Sequence, residues 1–203
     1  MIPETPIGAG PVGRDAMRSG PPRTGAVPAQ DDAGEMTPGH VLRFLAAALR
    51  AKAVVEIGTG TGAHSLWLLR GMVPEGVLTS IDVDQAGQRA ARAALTGAGI
   101  PAGRARLITG LPTDVMSRLT EGGYDLVSVF GARTDYPVFL ELGLRLLRPG
   151  GVIVFAGVRA DDDARRDPAS LALRELLRLV RSDETLVPVR LPVGEGLLAV
   201  ART

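Results

Sequence analysis

The feature that most constrains this chain is an aliphatic run that breaks into closely spaced glycines, Val54-Val55-Glu56-Ile57-Gly58-Thr59-Gly60-Thr61-Gly62. A short apolar run bounded by glycine predicts a buried strand over Ala53–Ile57. The glycines let the backbone turn sharply and let a ligand approach bare amides. Gly58, Gly60 and Ala63 also satisfy the dinucleotide fingerprint G-x-G-x-x-A. Asp82 ends the next apolar run, about 20 residues on, where a carboxylate can accept both ribose hydroxyls. A nucleoside ligand is therefore expected whether or not that fingerprint holds.

Strand and helix patterns alternate through the rest of the chain. Thr37 is an N-cap candidate with Pro38 at the first helical position, and Val41, Leu42, Leu45 and Leu49 follow at helical spacing. Further strands are predicted over Val77–Val83, Arg104–Ile108, Tyr124–Phe130 and Val152–Phe155. Helices are predicted over Ser65–Met72, from Asp84 to Ala98, over Thr113–Leu119, on the Phe139-Leu142-Leu146 face and from Asp167-Pro168 onward. Arg148-Pro149-Gly150-Gly151 reads as a helix stop. Leu186–Leu191 and Leu197–Ala201 are two last strands joined by P-V-G-E-G. That link is too short for a helical crossover, so the pair must be antiparallel, whereas helix-separated strands should be parallel. The expected fold class is α/β: a doubly wound, mostly parallel, seven-stranded sheet carrying a C-terminal antiparallel hairpin. Ligands in such sheets bind at the carboxyl ends of the strands, near the point where the winding reverses.

Composition narrows the functional classes. With 23 basic and 22 acidic residues the net charge is +1, which disfavours a nucleic-acid binder. There is no cysteine, which excludes disulfides, thiolate metal sites and cysteine nucleophiles. The longest uncharged apolar stretch, Gly151 to Val158, is far below the roughly 20 residues needed to span a bilayer, and no secretory pattern opens the chain; a cytoplasmic location without membrane association is expected. Residues 1–30 hold six prolines and five glycines, and such a segment buries too little surface to offset its ordering entropy. A flexible arm over 1–31 and one domain over 32–203 are expected.

Glu56 separates two classes of nucleoside ligand. A pyrophosphate favours N–H groups at a helix N-terminus and is repelled by a carboxylate. The same carboxylate suits S-adenosyl-L-methionine, which carries an ammonium and a sulfonium and no phosphate. At these residues the chain resembles the S-adenosylmethionine-dependent O-methyltransferases of the caffeoyl-CoA and catechol type. The resemblance covers roughly Glu35 to Thr203. It rests on A-K-A-V-V-E-I-G-T-G-T-G-A-H-S-L-W-L, G-V-L-T-S-I-D-V-D, L-I-T-G-L-P, Y-D-L-V-S-V-F, L-L-R-P-G-G-V-I-V-F and R-L-P-V-G-E-G-L-L-A-V. It implies a strand order of 3-2-1-4-5-7-6, a small-molecule hydroxyl as methyl acceptor, and a homodimer.

For the cofactor, the resemblance places Met36 and Thr37 over the methionine part. Glu56, Gly58, Thr59, Gly60 and Ser65 would hold its amino and carboxylate groups. Asp82 would take the ribose with Val83 beside it, Gly110, Leu111 and Pro112 would lie along the adenine, and Gly131 would sit near the reacting sulfur. Metal-dependent members carry Asp after the fourth strand and Asp-Asn after the fifth, holding a divalent cation that orients two substrate oxygens. Here those positions read Gly131 and Ala156-Gly157, with no side-chain oxygen, so no metal is expected. The run Asp161-Asp162-Asp163 is read as a solvated loop. His40, His64, Asp135 and Tyr136 are candidate bases and no catalytic residue is singled out; Arg133 is read as a solvated loop residue rather than a contact for an anionic substrate. Two other readings stay open: a non-catalytic adenosyl-ligand-binding regulator or scaffold, and a nicotinamide oxidoreductase.

Overall fold

A computed structural model describes residues 36–159 and 167–203. The expected arm over 1–31 and the run Asp161–Asp163 lie outside the described residues. Seven strands form one sheet: β1 (Ala53–Ile57), β2 (Val77–Asp82), β3 (Ala105–Thr109), β4 (Tyr124–Val129), β5 (Leu147–Ala156), β6 (Leu186–Leu191) and β7 (Leu197–Arg202). Their order is β3-β2-β1-β4-β5-β7-β6. Pairings from β3 through β5 are parallel, and β7 is antiparallel to both β5 and β6. The winding leaves β1 toward β2 and β3, then returns to β4 on the other side. The reversal therefore lies between the ends of β1 and β4.

The α-helices among the described residues are α1 (Pro38–Ala48), α2 (Ala63–Gly71), α3 (Gln85–Gly97), α4 (Pro112–Met116), α5 (Tyr136–Leu146) and α6 (Pro168–Ser182). Period-2 alternation along the strands divides the core into two layers. Val55, Ile57, Val127 and Val129 face α4, α5 and α6, together with Phe139, Leu173 and Leu176. Val54, Leu78, Leu126 and Val154 face the other way, with Leu42, Leu66 and Leu68 of α1 and α2 and Leu95 of α3. Burial on both faces explains why these strands read as continuous aliphatic runs.

Two boundaries depart from expectation by more than two residues. Strand β5 starts at Leu147, so Arg148-Pro149-Gly150-Gly151 ends α5 and also opens a strand. The irregularity is a register shift against β4 between Tyr124 and Leu126, which accommodates Gly150 at φ +73°. Asp125 anchors this corner: its carboxylate accepts the amides of Lys52 (2.7 Å) and Ala53 (3.0 Å) and the Nε of Arg148 (2.7 Å). Helix α4 spans only Pro112–Met116 rather than reaching Leu119.

Candidate functional site

The alternation that builds the core puts Glu56 on the face of β1 covered by α1, α2 and α3. Its register partners are Ser80 on β2 and Ser128 on β4, so three polar side chains lie in a row across an otherwise aliphatic layer. Glu56 is fully buried. Its Oε2 accepts hydrogen bonds from Ser65 Oγ at 2.5 Å and Ser80 Oγ at 2.6 Å. Its Oε1 is buried without a hydrogen-bond partner in the structure. An orphaned carboxylate oxygen in a core is costly unless a donor arrives. Burial pushes the Glu56 carboxyl up to about 7, helped by the charge of Asp82 and opposed by the two serine hydroxyls. The group therefore titrates near neutrality, and a cationic donor at Oε1 would favour its charged form.

The glycine turn joins Glu56 to Asp82. Gly58 has φ +89°, and a Cβ there would lie 2.8 Å from the carbonyl carbon and oxygen of Phe130. Only glycine lets the end of β1 pass this close to the end of β4, at the point where the winding reverses. Gly62, at φ +87°, precedes α2 in the left-handed region. The carboxylate of Asp82 accepts the amides of Gly60 and Asp84, each at 2.9 Å. Each oxygen keeps a further lone pair for a hydroxyl donor. Gly110 donates its amide to the Asp82 carbonyl at 3.0 Å, and Val83 and Leu111 are exposed beside it.

Not every expected contact presents its side chain outward. Thr59 is buried, with Oγ1 2.6 Å from Ser80 Oγ and accepting from Gln88 Nε2 at 3.1 Å; only its backbone faces the turn. Ser65 is buried against Glu56 rather than open to a cleft, so it orients the carboxylate. Met36 is exposed, ahead of α1. Thr37 is tied to His40, whose Nδ1 accepts the Thr37 amide at 3.1 Å and lies 2.9 Å from its hydroxyl. His40 also packs on Trp67, centroids 4.7 Å apart. It serves the start of the helix, a role that helical spacing alone did not reveal.

A cavity of about 320 Å³ opens past Gly131, lined among others by Pro38, His64, Phe130, Arg133, Tyr136 and Gly157. Of the candidate bases, His64 and Tyr136 reach it. His64 stacks on Phe130 at 3.9 Å between centroids, and its desolvation holds the imidazole below its ordinary range and so neutral at pH 7. Tyr136 donates its hydroxyl to the Ala156 carbonyl at 2.6 Å, and burial pushes it up to about 12 despite the nearby charge of Arg133. It stays protonated and cannot act as a base at neutral pH. Asp135 is the exposed residue before α5 and does not line the cavity.

Arg133 corrects the sequence reading. It is half-buried in a 3₁₀ turn and lines the cavity. Its Cδ and Nε lie 3.7 Å, and its Cζ 3.9 Å, from where a Cβ on Gly157 would stand. A guanidinium thus occupies the corner between Gly131 and Ala156-Gly157, where the resemblance would put metal ligands. Gly131, Ala156 and Gly157 carry no side-chain oxygen at the strand ends, and a fixed positive charge beside them does not fit a divalent cation. Among the described residues, no group of three or more His, Asp or Glu is placed to hold a metal.

Known proteins are similar to this chain in sequence and fold. Residues 29–203 match the model of a family described as O-methyltransferase. A protein of Mycobacterium sp. (strain KMS), provisionally assigned as an O-methyltransferase, is 50% identical over 176 residues, covering 84% of this chain and 80% of its own. A crystal structure from Corynebacterium glutamicum is 32% identical with a TM-score of 0.76, covering 87% of this chain and 83% of the other. An O-methyltransferase from Bacillus cereus, solved in complex with S-adenosylhomocysteine, has the same fold at 24% identity and a TM-score of 0.74, covering 87% and 84% of the two chains.

Proposed function

The chain belongs to the O-methyltransferase family, and from that premise we propose that it transfers a methyl group from S-adenosylmethionine to the hydroxyl of a small molecule, without a divalent metal in the acceptor cavity. The observation that carries this reading is the Glu56 carboxylate: buried, one oxygen held by two serines, the other without a partner. It lies next to the glycine turn at the winding reversal, in reach of the charge of Asp82. A cationic amine is the ligand group that satisfies such an oxygen. A dinucleotide pyrophosphate would meet repulsion there, which weighs against the nicotinamide reading.

When bound, the donor supplies an electrophilic methyl: the acceptor oxygen's lone pair forms the O–C bond while the C–S bond breaks, its electron pair going to sulfur and leaving a neutral thioether. No general acid is needed. The chain has to hold the two reactants in line, which is worth several kcal/mol as effective concentration. Glu56 and Asp82 would hold the donor at the ends of β1 and β2, and Gly131 leaves room beside the cavity. The hydroxyl proton must be lost, and neutral His64 is the group on the cavity wall able to accept it. A homodimer, carried over from the resemblance, is part of the same proposal.

Calorimetry with adenosylhomocysteine, followed by transfer of labelled methyl to a panel of phenols with and without a chelator, tests the reading. Binding plus chelator-insensitive transfer is expected. Lack of adenosylhomocysteine affinity refutes it, and binding with no transfer to any acceptor favours the non-catalytic regulator.

A further inference from the structure

The hydrogen bonding around Glu56 continues past its two serines. Ser80 Oγ, which donates to Glu56 Oε2 at 2.6 Å, stands 2.6 Å from Thr59 Oγ1. Thr59 Oγ1 in turn accepts from Gln88 Nε2 at 3.1 Å. All four side chains are buried. The direction of this line is forced. An amide nitrogen only donates, and a hydroxyl has one proton to give. Ser80 gives its proton to Glu56, so the proton between the two hydroxyls belongs to Thr59. The order is therefore Gln88 to Thr59 to Ser80 to Glu56, with every donor pointing toward the carboxylate.

Gln88 fixes the starting end. Its Nε2 also donates to the Ile108 carbonyl at 3.0 Å, near the end of β3. A flipped amide would set oxygen against that carbonyl, so the nitrogen is held there. Its Oε1 is buried without a partner, and the acceptors that Nε2 meets set the orientation. Helix α3 is itself tied to the other carboxylate of the site. Asp84, its N-cap, accepts the Ala86 amide at 2.8 Å and donates its own amide to Asp82 at 2.9 Å. Gln88 follows one turn later, its amide on the Asp84 carbonyl at 3.0 Å. One helix thus sets both carboxylates, Asp82 through its N-cap and Glu56 through Gln88.

We infer that Gln88 is a positioning residue for the methyl donor: through Thr59 and Ser80 it fills Glu56 Oε2 with oriented hydrogen bonds and leaves Oε1 as the oxygen that takes the donor's ammonium. The inference deepens the methyltransferase reading and rests on it. Hydrogen bonds to the charged form of a carboxyl favour that form, and bonds in a line polarise one another. Burial and the charge of Asp82 oppose ionisation of Glu56. The side chains beside it on β2, β4 and α2 are Ser80, Ser128 and Ser65, which carry no charge. The line from Gln88 therefore works against burial. A protonated Glu56 carries its proton on Oε1, because Oε2 already accepts twice, and an incoming ammonium takes that proton's place. Gln88 is buried, so it acts through Glu56 rather than on the donor.

Calorimetry on the full chain compares adenosylhomocysteine with its desamino analogue, which lacks only the amine. Titrations run at about pH 6 and about pH 8.5, below and above the value of about 7 at Glu56. Wild type should prefer the amine-bearing ligand by about tenfold or more at the higher pH. Gln88→Met and Thr59→Val keep the side-chain size and cut the line. Each should lower that preference by about threefold or more at pH 6, the effect of a half-unit rise in the Glu56 value. The deficit should narrow at pH 8.5, where the carboxyl is ionised in all three proteins. Thr59→Ser, which keeps the hydroxyl, should recover the preference that Thr59→Val loses. A role confined to folding would weaken both ligands alike and at both pH values. Equal losses for the two ligands, a loss independent of pH, an unchanged preference in both cut variants, or Thr59→Ser behaving as Thr59→Val overturns the inference and leaves the donor reading standing. Wild type without a preference for the amine takes down the role of Glu56 as well, and with no adenosylhomocysteine affinity the methyltransferase reading falls too. Should Gln88→Met fail to fold, the contrast between Thr59→Val and Thr59→Ser decides the question.

Discussion

Replacing Glu56 with Gln removes a buried group that titrates near neutral pH, and the consequence is a change in how stability depends on pH. The carboxyl moves from an unfolded value of 4.5 to about 7 in the folded chain, chiefly through burial. Between those values the folded state holds a proton that the unfolded state has released, so unfolding free energy falls as pH rises. The contribution is intact below pH 4.5 and is gone once the pH passes about 7. A shift of this size corresponds to about 3 kcal/mol. Gln cannot ionise, so its profile lacks this decline. Urea denaturation of both proteins from pH 4.5 to 8.5 should show the difference between them moving by about 3 kcal/mol in favour of Glu56→Gln across that window. Effects common to both chains cancel in the difference. A ligand ammonium at Oε1 would pull the carboxyl back down, so adenosylhomocysteine should bind wild type more tightly as pH rises through 7 and bind the variant weakly with no such trend. Parallel stability profiles would refute the argument, because they would mean that Glu56 ionises over the same pH range in the folded chain as in the unfolded one.

Gly58→Ala should cost about 2–3 kcal/mol and abolish adenosylhomocysteine binding by calorimetry, since the new Cβ requires a left-handed residue and meets the Phe130 carbonyl at 2.8 Å. Gly39→Ala puts a Cβ 2.3 Å from Cδ1 of Trp67; α1 has to move off α2, and thermal melts should register about 1–3 kcal/mol. Asp125→Ala leaves the amides of Lys52 and Ala53 and the Arg148 guanidinium without their acceptor, a loss of about 2 kcal/mol in denaturant titration at pH 7. Burial of Asp125 works against ionisation but is outweighed by hydrogen bonds from Ala53, Arg148 and Lys52, so its carboxyl lies below the usual range. Its stabilisation is present above the unfolded value of 3.8 and is lost as pH falls through the folded one. The Asp125→Ala deficit should therefore shrink in acid.

Local pattern was enough for the α/β class. Apolar runs between glycine and proline punctuation located all seven strands, and the short link between β6 and β7 forced their antiparallel pairing. Glu56 and Asp82 stood out because a carboxylate at the end of an aliphatic run has no packing reason to be there. Periodicity also predicted which strand residues share a face. It does not say which residues of distant strands sit side by side. Ser80 meets Glu56 from 24 positions away through strand register, and Ser65 meets it because α2 begins at Ala63. The early start of β5 likewise depends on Asp125 holding Arg148 across the sheet. Arg133 is the sharpest case. Its loop carries no periodic signal, and its place beside Gly157 follows from β4 and β5 ending side by side. Spacing along the chain sets backbone conformation and facing, because those depend on near neighbours. The partners that orient a carboxylate or bring a cation to a cavity are long-range contacts, decided only when the strands come into register.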